Sequence, residues 1–159
     1  MILYHGSLEI VEHPKILEAS RPLDFGQGFY TTTSLQQARR WVRLRMEQAN
    51  MAMGYISMYE YSPMKGLKHR RFLSANAAWV DFVHDNRTKL DFNHDFDIVE
   101  GPVANDNVYL SFNLYESGII TKAELIRRLK TYKLVDQLLF HTEQSLDTLK
   151  FVGYKEIKQ

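Results

Sequence analysis

Three short segments contain residues whose types could take part in chemistry: residues 4–7, 24–32 and 136–141. In the first segment, His5 offers one hydrogen-bond donor and one acceptor, which suits binding of a hydroxyl group. In the second, Gly26 and Gly28 are one residue apart, so the backbone can follow a tight path. In the third, Gln137 opens an apolar run and provides an amide that both donates and accepts. Together these segments are candidates for a binding or catalytic site.

Each segment also fits an ordinary structural role when it is considered alone. A histidine at the end of a strand, like His5, is more often a hydrogen-bonded structural residue. The Gly26-Gln27-Gly28 sequence lacks the third glycine and the strand-before-helix context of a dinucleotide-binding fingerprint, and such a pair usually marks a turn. A glutamine in a buried strand, like Gln137, is most often a satisfied polar residue. Function therefore depends on the combination.

The hydrophobic pattern predicts the elements that must position these residues. It predicts strands at residues 2–5, 29–32, 55–61, 96–99 and 135–141, and a last strand at the C-terminal residues. It predicts helices at residues 34–51, 74–86, 106–116, 121–132 and 142–150. Ser34 and Thr121 begin two of these helices with the spacing of a capping box. Strands and helices mix without a regular alternation, which predicts one α+β domain over residues 1–159 with mainly antiparallel pairing.

The composition argues against several classes of function. The chain has a formal net charge of +1, so nothing global indicates a nucleic-acid or membrane partner. It contains no cysteine, which excludes disulfides, thiolate metal sites and a cysteine nucleophile. We expect no signal peptide, because no basic region precedes a long apolar run. No apolar stretch approaches the ~20 residues needed to span a bilayer. These features lead us to expect a cytoplasmic protein.

In combination, the three segments resemble the His–Tyr–Glu branch of the ADP-ribosyltransferase superfamily, which includes the poly(ADP-ribose) polymerases and diphtheria toxin. The polymerases have Phe-Gly-Lys-Gly-Ile-Tyr where this chain has Phe-Gly-Gln-Gly-Phe-Tyr, ending at Tyr30. The closer overall resemblance is to a bacterial family of unknown function in the same superfamily. Its five sequence blocks, including Leu-Tyr-His-Gly-Ser, Gly-Pro-Val-Ala-Asn-Asp and Gln-x-x-Phe-His-Thr, extend here from Leu3 to Thr142. The resemblance implies a split antiparallel sheet with surrounding helices and an NAD⁺ cleft between the half-sheets.

The resemblance also implies a role for individual residues. His5 would bind the adenosine ribose of NAD⁺, and the backbone of Gly6 would hold the nicotinamide carboxamide. Tyr30 would stack on the cationic nicotinamide ring. Trp41 occupies the place of a second stacking aromatic, although a core aromatic on the helix face is an equal alternative. The implied catalytic residues are His5, Tyr30 and Gln137, and the implied NAD⁺-binding residues are His5, Gly6, Ser7, Tyr30, Thr31 and Trp41.

Gln137 is where the sequence departs from the polymerase pattern, which has a glutamate at this position. An amide can bind ribose hydroxyls, but it cannot carry negative charge or act as a general base. Formation of poly(ADP-ribose) is therefore not expected, because chain elongation needs a base for the incoming hydroxyl. The acceptor could supply its own nucleophilicity, a neighbouring residue could replace the base, or catalysis could be lost.

Further residues could complete the site, and each has a structural alternative. Arg87 could bind a diphosphate or be a surface arginine at a helix end, and Arg21 has the same ambiguity. Asn105 and Asp106 lie at a strand-to-helix junction, where Asp106 could instead be the N-cap. His141 shares an alternation face with Gln137, whereas Asp24 is expected to cap or brace its turn. Two further sets of residues are not expected to belong to a site. The basic face of one helix (Arg39, Arg40, Arg43, Arg45) is explained by solvent exposure, and four histidines lack the spacing of a zinc site (His13, His69, His84, His94).

The function implied by the resemblance is mono-ADP-ribosyl transfer from NAD⁺, without a metal, to a protein or nucleic-acid acceptor. Small bacterial members of the superfamily are often toxins or effectors, so a cognate antitoxin protein is a possible partner. Two alternatives stay open: a module that binds NAD⁺ or ADP-ribose without reacting, and an NAD⁺ glycohydrolase that uses water as acceptor. The amide at Gln137 favours the binding module.

Overall fold

The computed structural model describes all residues, 1–159, as seven strands and five helices. The strands are Ile2–Ser7 (β1), Phe29–Thr32 (β2), Met53–Tyr61 (β3), His69–Arg71 (β4), Ile98–Pro102 (β5), Asp136–Phe140 (β6) and Leu149–Lys158 (β7). The helices are Leu35–Ala49 (α1), Ala77–Thr88 (α2), Asp106–Glu116 (α3), Lys122–Leu129 (α4) and Glu143–Leu146 (α5). None of these helices combines the length and the apolar character needed to cross a membrane.

The strands form one mixed sheet in the order β4-β5-β6-β2-β1-β3-β7. All neighbours pair antiparallel except β4 and β5, which confirms the predicted α+β class and its mainly antiparallel pairing. The centre of the sheet is its weakest connection, because β1 and β2 are paired in register only at Tyr4 and Thr32. The sheet therefore consists of two halves, β4-β5-β6-β2 and β1-β3-β7, joined at this seam.

Four of the five helices cover one face of the sheet, with a different group over each half. Helix α1 packs on the β1-β3-β7 half through Ala38, Val42 and Met46. Helices α2, α3 and α4 cover the other half with a larger apolar cluster that includes Trp79, Phe112 and Leu125. On the opposite face, a third cluster spans both halves through Leu3, Phe29, Tyr59, Leu138 and Phe140. Side chains alternate between faces along a strand, so Leu138 and Leu139 belong to different clusters.

Local sequence signals explain most of the helix boundaries. Ser34 caps α1 by accepting a hydrogen bond from the Gln37 amide, and Thr121 caps α4 in the same way. Helix α3 spans the predicted residues 106–116. The predicted start of α2 at Ser74 is wrong, because Asn76 provides the cap and the helix begins at Ala77.

Two predictions near the end of the sequence are also corrected. The helix predicted at residues 142–150 is the short α5, and β7 already begins at Leu149. The strand predicted at residues 96–99 is β5, which includes Gly101 and Pro102. Strand β4 was not predicted at all.

Candidate functional site

The seam between β1 and β2 is filled by the side chain of His5. Strand β1 pairs with β3 along its whole length, from Ile2 to Ser7, but its pairing with β2 is limited to Tyr4. Beyond Tyr4, the His5 Nδ1 donates a hydrogen bond to the Tyr30 carbonyl oxygen at 2.7 Å. The imidazole also packs on Phe29, with the ring centroids 4.3 Å apart. A side-chain hydrogen bond therefore links the two strands where the ladder stops.

This contact fixes the chemical form of His5. When the neutral ring donates through Nδ1, its Nε2 is left as an acceptor. Burial lowers the pKa of His5 below its ordinary value, and the hydrogen bond to Tyr30 opposes this shift less strongly. The neutral imidazole is therefore the stable form near pH 7, with one acceptor nitrogen not used by the Tyr30 contact.

Gly6, the next residue, lies against helix α1. A Cβ atom at Gly6 would be 2.7 Å from Val42 Cγ2 and 2.8 Å from the Ala38 carbonyl oxygen. The close packing of α1 on β1 thus requires a glycine, whether or not its backbone binds a ligand.

Trp41 Cδ1 would be 3.4 Å from the same Cβ, yet Trp41 is 41% exposed, so its alternative role as a core aromatic is wrong. Ser7 uses its hydroxyl locally, as a donor to the Glu9 carbonyl oxygen.

Tyr30 connects β2 to the glycine-containing segment before it. Its hydroxyl accepts from the Phe25 amide at 3.1 Å and donates to the Gly26 carbonyl oxygen at 2.6 Å. Burial raises the pKa of Tyr30 well above its ordinary value, so the hydroxyl stays protonated. The neighbouring Thr31 is buried, and its hydroxyl donates to the Leu138 carbonyl oxygen at 3.2 Å. Both hydroxyl groups therefore have structural partners.

Residues 24–28, which we call the glycine loop, are held through three successive carbonyl groups. The Phe25 oxygen accepts from His94 Nε2 at 2.7 Å, the Gly26 oxygen from Tyr30, and the Gln27 oxygen from His141 Nδ1. Gly26 has a φ of +88°, in the left-handed region that favours glycine. The loop conformation therefore depends on side chains from outside the loop, including His94, which sequence spacing had not singled out.

Gln137 lies one strand away from Tyr30 on the same face of the sheet. In the register of β2 and β6, Thr32 pairs with Gln137 and Tyr30 pairs with Leu139. Tyr30 and Gln137 are thus diagonal neighbours, about 7–8 Å apart. The Gln137 Nε2 is buried and has no hydrogen-bond partner. The three catalytic candidates of the sequence therefore lie on adjacent strands around the seam.

Asp24 is the buried carboxyl group of this region, with only 8% of its surface exposed. The Tyr109 hydroxyl donates to Asp24 Oδ1 at 3.3 Å. Burial raises the pKa of Asp24, while the Arg87 guanidinium, the Tyr109 hydroxyl, the Ala104 amide and the Gln137 amide lower it by smaller amounts. The hydrogen bond of Asp24 goes to Tyr109 of α3, so a role of Asp24 in capping or bracing its own turn stays a prediction.

The remaining predicted residues separate into those near the site and those away from it. Arg87 is only 17% exposed and stacks over the Tyr109 ring at 4.6 Å, so its alternative as a surface arginine is wrong. Asn105 caps α3, whereas Asp106 lies exposed in its first turn, so the proposed cap role of Asp106 is wrong. Arg21 is exposed. His141 lies beyond the end of β6, about 13 Å along the chain from Gln137.

One cavity of the structure lies beside the glycine loop, and another lies on the helices. One, of about 370 Å³, is lined by Ile16, Gly26, Gln27, Asn86, Phe92, Asn93 and His141. The other, of about 460 Å³, lies between α3 and α4. Neither is lined by His5, Tyr30 or Gln137, so convergence of these three on a cavity of NAD⁺ size stays a prediction. No group of three His, Asp or Glu side chains is arranged to hold a metal ion.

Residues 1–151 match the family described as "Protein of unknown function (DUF3990)". The match includes β1, the glycine loop and β6, and therefore every candidate residue discussed above. No curated protein matches the sequence.

Proposed function

The chain belongs to the DUF3990 family of proteins of unknown function, and we propose that its activity is mono-ADP-ribosyl transfer from NAD⁺. The bond between nicotinamide and ribose breaks, nicotinamide leaves with the electron pair, and an acceptor nucleophile attacks the ribose carbon and releases a proton. Positive charge develops on the sugar in such a reaction, as it does in glycoside hydrolysis. The site must therefore orient the ribose and exclude water.

The observation that carries this proposal is the position of His5 at the seam. Its Nδ1 is engaged by Tyr30, so its Nε2 can accept a hydrogen bond from a ribose hydroxyl. Gly6 follows on the same strand, and Gln137 lies two strands away in the sheet order. An ADP-ribosyltransferase of the His–Tyr–Glu type needs these positions close together, and the adjacency of β6, β2 and β1 in the sheet is consistent with that need.

The biological setting belongs to the same proposal. We propose a toxin or effector of bacterial type that acts on a macromolecular acceptor, with a cognate antitoxin as a possible partner. The site contains no carboxylate at position 137, so transfer should stop after one ADP-ribose unit.

A direct test is incubation of the protein with a bacterial lysate and isotopically labelled NAD⁺, followed by mass spectrometry. The proposal predicts a mass increase of one ADP-ribose on a discrete target and an equal amount of free nicotinamide. His5→Ala should abolish both signals, whereas His13→Ala, an exposed histidine outside the site, should change neither. Labelled nicotinamide release from the His5→Ala protein at the wild-type rate would rule out the site.

The amide of Gln137 also favours a second candidate, a module that binds NAD⁺ without reacting. Titration calorimetry separates the two functions, because a binding module gives saturable heat but no nicotinamide under any condition. An NAD⁺ glycohydrolase would release nicotinamide without labelling a target.

A further inference from the structure

A site that stabilises a developing positive charge works best with a negative charge nearby, and Gln137 cannot provide it. The region contains one buried carboxyl group that has no role in the proposed chemistry so far. Asp24 is 8% exposed and receives a hydrogen bond from the Tyr109 hydroxyl. The glycine loop is also bound through the backbone groups of Phe25 and Gly26, so its conformation does not depend on the Asp24 carboxyl group alone.

The sheet register brings the glycine loop over Gln137. Gly101 on β5 is the register partner of Gln137, and a Cβ at Gly101 would be 3.2 Å from the Phe25 ring. Asp24 precedes Phe25 in this loop, and the Gln137 amide is among the groups that lower the pKa of its carboxyl group. The Gln137 Nε2 is a buried donor with no partner of its own. A buried unpaired amide donor is unfavourable, and a carboxylate is the strongest acceptor that could satisfy it.

We infer that Asp24 is a positioning residue that accepts a hydrogen bond from Gln137 Nε2 and thereby turns Gln137 Oε1 toward the bound substrate. The two ends of a glutamine amide have nearly the same shape, so only a neighbour can decide which end faces the site. With Nε2 held by Asp24, Oε1 is presented as an acceptor for a ribose hydroxyl. The direction of the amide follows from the residues alone, whereas its role toward ribose rests on the proposed function.

In this arrangement, two residues together replace the single glutamate. Gln137 supplies the oxygen that contacts the sugar, and Asp24 supplies the charge behind it. The charged and titratable groups that face Asp24 are Arg87 from α2, Tyr109 from α3 and Tyr30 from β2. Arg87 is the cation among them. Its positive charge offsets the negative charge of the Asp24 carboxylate, which can still accept a hydrogen bond from the Gln137 amide.

The first test needs no ligand and observes the Gln137 side-chain amide by ¹H–¹⁵N NMR of the full chain. Its signal is identified by its disappearance in Gln137→Glu. A pH titration should move this signal as Asp24 ionises, and the movement should be lost in Asp24→Asn. Asp136→Asn is the matched control, because Asp136 is exposed and adjacent but on the other side of the strand. A signal that titrates equally in Asp24→Asn and wild type would overturn the inference.

The second test exchanges the two residues. Gln137→Glu alone places two carboxyl groups together, which raises the pKa of one of them and should destabilise the fold. Adding Asp24→Asn restores one carboxylate and one amide in reversed positions. The double variant should therefore unfold at a higher denaturant concentration than Gln137→Glu, and strictly additive effects of the two changes would contradict the contact.

NAD⁺ titration then separates this inference from the proposed function. Asp24→Asn should weaken NAD⁺ binding by about tenfold, the usual scale for loss of a charge-assisted hydrogen bond that positions a contact. NMR coupling and non-additive stability without any NAD⁺ binding by the wild type would support the Asp24–Gln137 contact and reject the proposed function. NAD⁺ binding by the wild type and equally tight binding by Asp24→Asn would reject the positioning role.

Discussion

His5 is both a strand connector and a candidate ligand, and its protonation state links the two roles. Its folded-state pKa is lowered from 6.5, so the neutral ring contributes stability above that value. This contribution is lost as the pH falls through the folded-state pKa, because the charged ring must be buried in the seam.

We therefore expect the wild type to lose stability relative to His5→Gln as the pH is lowered from 7 to 5. Urea unfolding at each pH measures the difference, and His94, whose pKa is also lowered, contributes equally to both proteins. A constant difference across this range would show that His5 does not titrate with folding. His13→Gln is the matched control and should show no such trend.

The hydroxyl group and the aromatic ring of Tyr30 should have effects that experiments can separate. Tyr30→Phe removes the partner of the Phe25 amide and the Gly26 carbonyl, which should destabilise the fold by about 1–3 kcal/mol. Because the ring is retained, NAD⁺ affinity should change little. Tyr30→Ala should also weaken NAD⁺ binding, by roughly 1–2 kcal/mol for a lost cation–π contact.

Unfolding experiments and calorimetry on both variants measure these effects. Tyr154→Phe removes the hydroxyl of a tyrosine that is 47% exposed and is the control for the Phe variant. If both Tyr30 variants lose NAD⁺ binding equally, the hydroxyl rather than the ring makes the contact.

At the scale of single elements, Val42 determines how closely α1 approaches the sheet. A Cβ at Gly6 would be 2.7 Å from Val42 Cγ2, and a Cβ at Gly54 would be 2.4 Å from Val42 Cγ1. Gly6→Ala should therefore destabilise the fold by about 1–3 kcal/mol through overpacking. Adding Val42→Ala should recover part of this loss, because the Ala38 carbonyl remains in the way.

Thermal unfolding of the two single variants and the double variant measures the recovery. Strictly additive losses would show that Val42 is not the atom group that the added methyl meets, and would contradict this account of the packing.

The sequence predicted the elements that have strong local signals. Helix α3 begins after a capping residue and carries apolar residues at helical spacing, so its limits were predictable. Strand β4 was missed because its three residues, His-Arg-Arg, are exposed and show no apolar alternation. It exists through parallel pairing with β5, which is a contact between residues far apart in sequence. Strand β7 was partly missed because its few buried apolar side chains do not share one face: Leu149 and Phe151 pack in one cluster and Ile157 in the cluster on the opposite face.

Only those site residues that belong to recognisable sequence motifs could be predicted. His5, Tyr30 and Gln137 could be selected from sequence, but the place of Asp24 beside Gln137 depends on the register of β5 and β6. The helix pattern could not decide whether Trp41 is buried or exposed, since a residue at the edge of an apolar stripe can be either. No local signal indicated that His94 supports the glycine loop.

At the scale of the whole molecule, the seam predicts two regions of different local stability. Hydrogen exchange measured by mass spectrometry should be slow in β3 and β7, which pair over nine registered positions, from Met53 to Tyr61. Exchange should be faster in residues 5–7 and in β2. Bound NAD⁺ should slow exchange on both sides of the seam, and unchanged exchange there would argue against a ligand in this cleft.

The seam has a consequence for how this protein could be controlled. A continuous strand ladder transmits displacement stiffly, but a ladder interrupted after one pair lets its two sides move against each other. Helix α1 packs on the β1-β3-β7 side, through Gly6 and Gly54, and is tied to the other side only at its N-terminus, where the amide of the capping residue Ser34 donates to the Thr32 hydroxyl. A protein that binds the exposed face of α1 could thus change the distance between His5 and Gln137 without contacting either residue. An inhibitor of this kind would never enter the cleft or compete with the small molecule, so raising the concentration of NAD⁺ would not overcome it.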